Sequence, residues 1–412
     1  LRLKPSIIIL TTILMNQREL FLRHVAQTSD LPLLGVDVNI KEAKGVKLID
    51  ESGKEYIDLI SGISVSNVGH CHPKVIKAIN EQTQKFMHLM VYGEFNQSPQ
   101  VKYAKQLTDL LPPQLNSVYF TTSGSEATEG ALKLSKRVTG RTEIISFKNA
   151  YHGSTHGALS VMGDEFFKNS FRPLLPDIKF LELNDLKDLE QISSKTACVI
   201  VEPIQGEGGV RKANEEFLNL LREKCNTHCA LLIFDEIQTG FGRTGSLFAF
   251  EEFGVIPDVL LIAKGMGGGL PIGAFISSSK IMGCFTNNPV LGHINTFGGN
   301  AVCVAAAKAT LEVVLEEKLV NRAKEIEKII KENLKHPLIK ELRVYGALGA
   351  VDYGNEELNM RIIKSCIQNG IITDWFLFCT TAMRIAPPLT ISDIELKASL
   401  KKIKKVLDES SV

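Results

Sequence analysis

Lys264 stands where an apolar run, residues 259–263 (VLLIA), breaks into glycine-rich sequence, and Asp235 closes a similar run, residues 231–234 (LLIF). A lone amine and a lone carboxylate, each at the end of a strand-like run, suit chemistry in which a lysine bonds to an aldehyde while an acid keeps a ring nitrogen protonated. Pyridoxal phosphate has those two needs, because it forms a Schiff base with a lysine and its protonated ring accepts electrons. Alone, either residue would pass as a solvated loop lysine or a helix-capping aspartate.

Other segments offer what such a cofactor requires. Residues 123–128 (SGSEAT) follow the run SVYFT and open a helical pattern whose Ala127, Ala131, Leu134 and Val138 form one apolar stripe ended by Gly140. Gly124 allows close backbone approach to an anion, the free amides and the helix dipole point at it, and Ser125 adds a hydroxyl. A plain capped helix start explains the same serines. Tyr151 follows the run near Ile145 and brings an aromatic ring to the sheet edge, either to stack on a planar cofactor or to pack. Glu202 ends the run CVIV and opens residues 202–210 (EPIQGEGGV), which carry a second acid, Glu207; a charge at a buried strand end must find a partner. Gln238 can point to the same place as Asp235 and hydrogen-bond a phenolic oxygen, and Thr296 offers a hydroxyl within residues 295–300 (NTFGGN).

The elements that must position these residues are short Val/Ile/Leu/Phe runs at 117–121, 143–147, 198–201, 231–234, 259–263 and 274–276, alternating with helical patterns. Runs apolar throughout fit strands buried on both faces of a mostly parallel α/β sheet, whose ligands sit at the strands' carboxyl ends. After Asn300 the pattern turns helical and begins a second lobe, with strands expected around 342–353 and 383–385 and a closing amphipathic helix over about 394–407.

With 412 residues, 44% of them hydrophobic, the chain can bury a core larger than one small domain. Lysine and arginine number 47 against 46 acidic residues, so no overall field attracts nucleic acid or an anionic membrane. The eight cysteines lack a paired framework, which fits reduced thiols and a cytoplasmic setting. Cys71 between two histidines, and Cys225 near His228 and Cys229, lack the second ligand pair a metal site needs. The apolar stretch 6–15 is too short to span a bilayer; residues 1–14 are expected to be upstream or non-native sequence, with Met15 the start. The organisation expected is an N-terminal segment over 15–60, a large domain over 61–305 and a small C-terminal domain over 306–412.

Taken together, GHCHPKV (69–75), SGSEAT, AYHGST (150–155), VEPIQGEGGV, LLIFDEIQTGFGRTG (231–245), AKGMGGGLPIGA, TFGGN and RIAPPL (384–389) closely resemble the class III pyridoxal-phosphate aminotransferases, among them acetylornithine, ornithine and 4-aminobutyrate aminotransferases. The resemblance runs from about residue 20 to 405. It implies a fold-type I α/β architecture, with a mostly parallel sheet in a large domain and a smaller α+β C-terminal lobe. It also implies Lys264 as the Schiff-base lysine, Asp235 on the pyridine nitrogen, Gln238 near the ring hydroxyl, and Tyr151 stacked on the ring. Gly124 and Ser125 would hold the phosphate, and His152 and Glu202 would complete the cofactor site. Thr296 would reach a partner's phosphate across a homodimer with shared sites. The reaction implied moves an amino group from an amino acid or ω-amino donor to an oxo acid such as 2-oxoglutarate or pyruvate; a decarboxylase or aminomutase of the same fold is the alternative. Arg384 would receive a substrate carboxylate, with Glu207 neutralising it when an ω-amino substrate binds. Two positions depart from the ornithine and acetylornithine enzymes: Ser154 stands where they carry a carboxylate-clamping arginine, and Ile63 where ornithine enzymes carry a tyrosine.

Overall fold

The computed structural model of the chain describes residues 17–26 and 36–410, so the expected leader and Met15 lie outside the described residues. Seven strands form the large sheet, in the order Ser117–Thr121, Gly273–Ser277, Val259–Ile262, Leu231–Asp235, Thr196–Val201, Glu143–Phe147 and Ile178–Leu181. The central members are buried along their whole length, which explains their unbroken apolar runs. Gly273–Ser277 alone runs antiparallel to both neighbours. The connection before it, residues 263–272, is shorter than the crossover of about a dozen residues that a parallel neighbour needs. That short return places Lys264 at the carboxyl end of Val259–Ile262, as the first residue of a single 3-10 turn, Lys264–Gly267. Ile178–Leu181, an edge strand with a partly exposed pattern, has no continuous apolar run and is absent from the expected set.

Helix Gly124–Thr139 starts where Ser123 accepts the Glu126 amide and stops at Gly140, whose φ of 67° suits the left-handed cap. Its Ala127, Ala131 and Leu134 share one core with Ile144, Ile233, Leu261 and Phe275 from the sheet. Gly130 lets the helix lie close: a Cβ there would fall 2.3 Å from Phe275 Cε1. The N-terminal end of the helix is therefore fixed in depth and direction by sheet packing.

The C-terminal lobe is an antiparallel sheet of Glu341–Tyr345, Leu348–Asp352, Cys379–Ile385 and Trp375–Phe376, covered by helices that include Leu319–Asn333, Glu356–Gln368 and Asp393–Ser410. Strands Ile40–Lys44, Lys47–Asp50 and Glu55–Asp58 continue into Ile371–Ile372, so the N-terminal segment is tied to this lobe by backbone pairing. Buried Arg243 joins the parts further, donating to the carbonyls of Ala347 and Pro387 and to Asn67 Oδ1. Among the described residues no helix is long and apolar enough to cross a membrane.

Candidate active site

At the carboxyl ends of the large sheet's strands lies a cavity of about 380 Å³. Its walls bring together Gly124, Ser125, Tyr151, His152, Glu202, Asp235, Gln238 and Lys264. They come from the carboxyl ends of five strands, Ser117–Thr121, Glu143–Phe147, Thr196–Val201, Leu231–Asp235 and Val259–Ile262, which is why residues far apart in sequence converge there.

Lys264 follows Val259–Ile262 with φ 43°, a left-handed conformation uncommon for a side-chain-bearing residue, and Gly265 beside it packs where a Cβ would lie 2.5 Å from Asn67 Nδ2. The turn is thus held against its own preference, and the amine is aimed into the cavity wall. Burial pushes the Lys264 ammonium below its ordinary range; Glu207 opposes that fall, while Arg384 adds to it. An amine so placed is neutral more often than a surface lysine.

Asp235 ends Leu231–Asp235. One carboxylate oxygen accepts the Ile237 amide at 3.0 Å and the other lies 2.7 Å from His152 Nδ1. His152 and Asp235 are both buried. Glu202, also buried, accepts the amides of Tyr151 at 3.0 Å and Gly206 at 2.9 Å. Burial pushes its carboxyl up to about 7, with His152 pulling it down and Asp235 raising it. The partner that a buried charge at this strand end requires is therefore backbone, and Glu202 fixes both the Tyr151 loop and the turn that carries Glu207.

Two polar atoms facing this region are buried without partners: His152 Nε2 and Gln238 Nε2. The first-turn amides of Gly124 and Ser125 have no helical acceptor by construction. Ser125 Oγ accepts the Ser154 amide at 3.3 Å, which leaves its proton free to donate. Unused donors at one end, a carboxylate at another and an amine between them match the polar outline of pyridoxal phosphate, so the residues present fit that group. Among the described residues no cluster of His, Cys, Asp or Glu could hold a metal ion.

Beside the cavity, Arg384 is buried and closed upon Glu207, with NH1 to Oε1 at 2.9 Å and NH2 to Oε2 at 3.0 Å. Burial raises the Glu207 carboxyl, but the adjacent guanidinium outweighs it and the net shift is downward. Gly206 connects this pair to the cavity: a Cβ there would collide with Gln238 Oε1 at 1.8 Å. Glu207 and Arg384 are not themselves among the cavity's wall residues.

Ser154, Ile63 and Thr296 also lie outside those walls. Ser154 Oγ meets the Tyr151 hydroxyl at 3.2 Å. Ile63 is exposed, in a tight turn where its φ is 62°. Thr296 Oγ1 lies 3.5 Å from the Tyr92 hydroxyl, while neighbouring Asn295 donates to Glu126 at 2.6 Å and so ties this loop to helix Gly124–Thr139.

Two groups at the site escape the sequence reading. Asp374 and the Trp375 carbonyl both bind Arg384. Residues 375–378 (WFLF) pack the lobe through buried Phe376, and the Leu377 amide also donates to Glu207 Oε2 at 3.2 Å. A two-residue strand has no periodicity by which sequence could reveal it.

A family model described as aminotransferase class III matches residues 31–407. An acetylornithine aminotransferase of Clostridium acetobutylicum is 39% identical over 88% of this chain and 95% of its own length. A succinylornithine transaminase of Citrobacter koseri is 38% identical over 87% and 89%. Among solved structures, the ornithine aminotransferase of Toxoplasma gondii superposes with a TM-score of 0.88 at 29% identity, each chain being covered completely.

Proposed function

The chain belongs to the class III aminotransferases, enzymes that transaminate with pyridoxal phosphate, and from the site's geometry we propose which of its residues do the work and what they accept. Pyridoxal phosphate supplies an aldehyde that takes up an amino group and a ring that withdraws electrons from it.

In this reading Gly124 and Ser125 hold the phosphate, Gln238 Nε2 donates to the ring hydroxyl, and Tyr151 covers a ring face. Asp235, oriented by His152 and the Ile237 amide, holds the ring nitrogen's proton. Lys264 Nζ, freed when the incoming amine takes its place, would take the proton from the substrate carbon and deliver it to the former aldehyde carbon two atoms along; its lowered affinity for protons suits it to both roles. Glu202 keeps Tyr151 and residue 206 in place.

Donor and acceptor alternate in one pocket. Arg384 binds the α-carboxylate of an acid such as glutamate or 2-oxoglutarate once Glu207 has swung away, and Glu207 covers Arg384 when a terminal amine enters. Lys264 is the only lysine or arginine among the cavity's wall residues. With Ser154 at the position of the relatives' arginine, a donor's distant carboxylate finds no fork to grip it. The preferred donors are therefore ω-amino compounds whose far end needs no bidentate clamp, in contrast to acetylornithine. The active unit is a homodimer: Thr296 is not among its own cavity's wall residues, and its loop carries the exposed apolar residues Val290, Leu291, Ile294 and Phe297, which a second copy would cover. The unpaired cysteines of the described chain suit a cytoplasmic enzyme. The boundaries at residues 60 and 305 divide the segment joined to the C-terminal lobe, the large sheet and the small lobe.

The observation that carries this reading is the meeting of Lys264, the Asp235–His152 pair and the free helix N-terminus around one cavity. Loading the protein with pyridoxal phosphate and adding candidate amines one at a time tests it. Conversion of the cofactor to pyridoxamine phosphate with an equal amount of oxo product and no carbon dioxide is expected. Release of carbon dioxide, or no conversion with any amine, would refute it.

A further inference from the structure

Arg384 offers two edges to two different acids. NH1 and NH2 face Glu207, while Nε donates to Asp374 Oδ1 at 2.8 Å. NH2 also donates to the Trp375 carbonyl at 3.1 Å, and the guanidinium lies over the Phe376 ring, 4.3 Å from its centre. On the reading of Glu207 as a mobile gate, which this inference rests on and extends, we propose that Asp374 is a positioning residue. It grips Arg384 by the Nε edge, so that the NH1/NH2 fork stays aimed at the substrate carboxylate after Glu207 has left.

The two acids differ in what holds them. Glu207's carboxylate is fixed by Arg384 and by one further donor, the Leu377 amide, so a side-chain swing alone frees it while its backbone carbonyl keeps the Phe378 amide at 3.1 Å. Asp374 is one methylene shorter and stays beside Arg384 along the main chain, its own carbonyl accepting the Arg384 amide at 2.9 Å in the hairpin where Trp375 pairs with Met383. Main chain and side chain of Asp374 thus hold the same residue. Stacking on Phe376 fixes the plane of the guanidinium but not its rotation within that plane; the Nε bond removes that freedom. A bidentate partner is gripped only when both N–H vectors point correctly, so the loss of this orientation weakens carboxylate binding. The exchange also conserves charge: a substrate carboxylate takes over the place of Glu207's, and Arg384 remains between two acids throughout.

The test compares purified Asp374→Ala, Asp374→Asn and Arg384→Ala holoenzymes. The readouts are kcat and KM for 2-oxoglutarate, the affinity for glutarate as an unreactive dicarboxylate, and thermal stability. Asp374→Ala is expected to raise the KM and weaken glutarate about tenfold to a hundredfold, the range for losing a charge-assisted hydrogen bond, with kcat largely kept. Asp374→Asn, whose amide oxygen still accepts from Nε, recovers most of that loss. If Arg384→Ala raises the KM but Asp374→Ala leaves it within about twofold, the positioning role is overturned. Equal damage in both Asp374 variants, together with a fall in kcat and melting temperature, would overturn it also, as plain structural support. If Arg384→Ala itself leaves KM and glutarate binding unchanged, the gate reading has failed and Asp374 has nothing to position.

Discussion

His152 Nδ1 and Asp235 Oδ2 lie 2.7 Å apart with both side chains buried, a contact that steers one carboxylate oxygen while the Ile237 amide holds the other. Asp235→Asn preserves the shape and removes the charge. Steady-state transamination is expected to fall about two to three orders of magnitude, as when one preorganised charge-stabilising group is lost. His152→Ala should cost less, because Ile237 still orients the carboxylate. Near-normal kcat in Asp235→Asn would separate this residue from the ring nitrogen.

Glu207 closes Arg384 with two hydrogen bonds at 2.9 and 3.0 Å. Glu207→Ala leaves the fork open, so donors with an α-carboxylate should gain over terminal-amine donors by on the order of tenfold in the ratio of kcat/KM. Competing glutamate against 4-aminobutyrate in the half-reaction measures this ratio, and a constant ratio would discount the gate.

Ser154 Oγ lies 3.2 Å from Tyr151 Oη, and its amide donates to Ser125 Oγ at 3.3 Å. Restoring the relatives' residue with Ser154→Arg adds a fork at the mouth. The KM for acetylornithine should drop about tenfold, while that for a donor without a carboxylate distant from its reacting amine stays level. The comparison of the two KM values decides the point.

Lys264 titrates below an ordinary lysine because burial disfavours its charged form. A depressed folded-state value means the neutral amine is reached at lower pH, so in apoprotein Lys264 should react with an amine-acylating reagent at a pH where the lysine of an unstructured reference peptide is still protected by its charge. Peptide mass spectrometry across a pH series gives both profiles. Coincident profiles for the two lysines would remove the argument for an activated amine.

Much of the site is legible in sequence because its residues stand where a buried apolar run ends. Asp235, Glu202 and Lys264 each follow such a run, and strands buried on both faces write themselves as unbroken Val/Ile/Leu segments. Ile178–Leu181 is illegible for the converse reason: an edge strand buries too little to show a run. The pairing of His152 with Asp235 is a matter of strand order, since the strands preceding them are separated by Thr196–Val201 in the sheet. Asp374 escapes because nothing local marks it; its role exists only once the hairpin folds it back upon Arg384.

The central claim is that Lys264 forms the covalent link to pyridoxal phosphate. Borohydride reduction of the purified holoenzyme, followed by proteolysis and mass spectrometry, tests it directly. The account predicts the cofactor's mass on the peptide that contains Lys264 and its loss in Lys264→Ala. Label on another lysine, or none on a protein that retains the cofactor's absorbance, would contradict it.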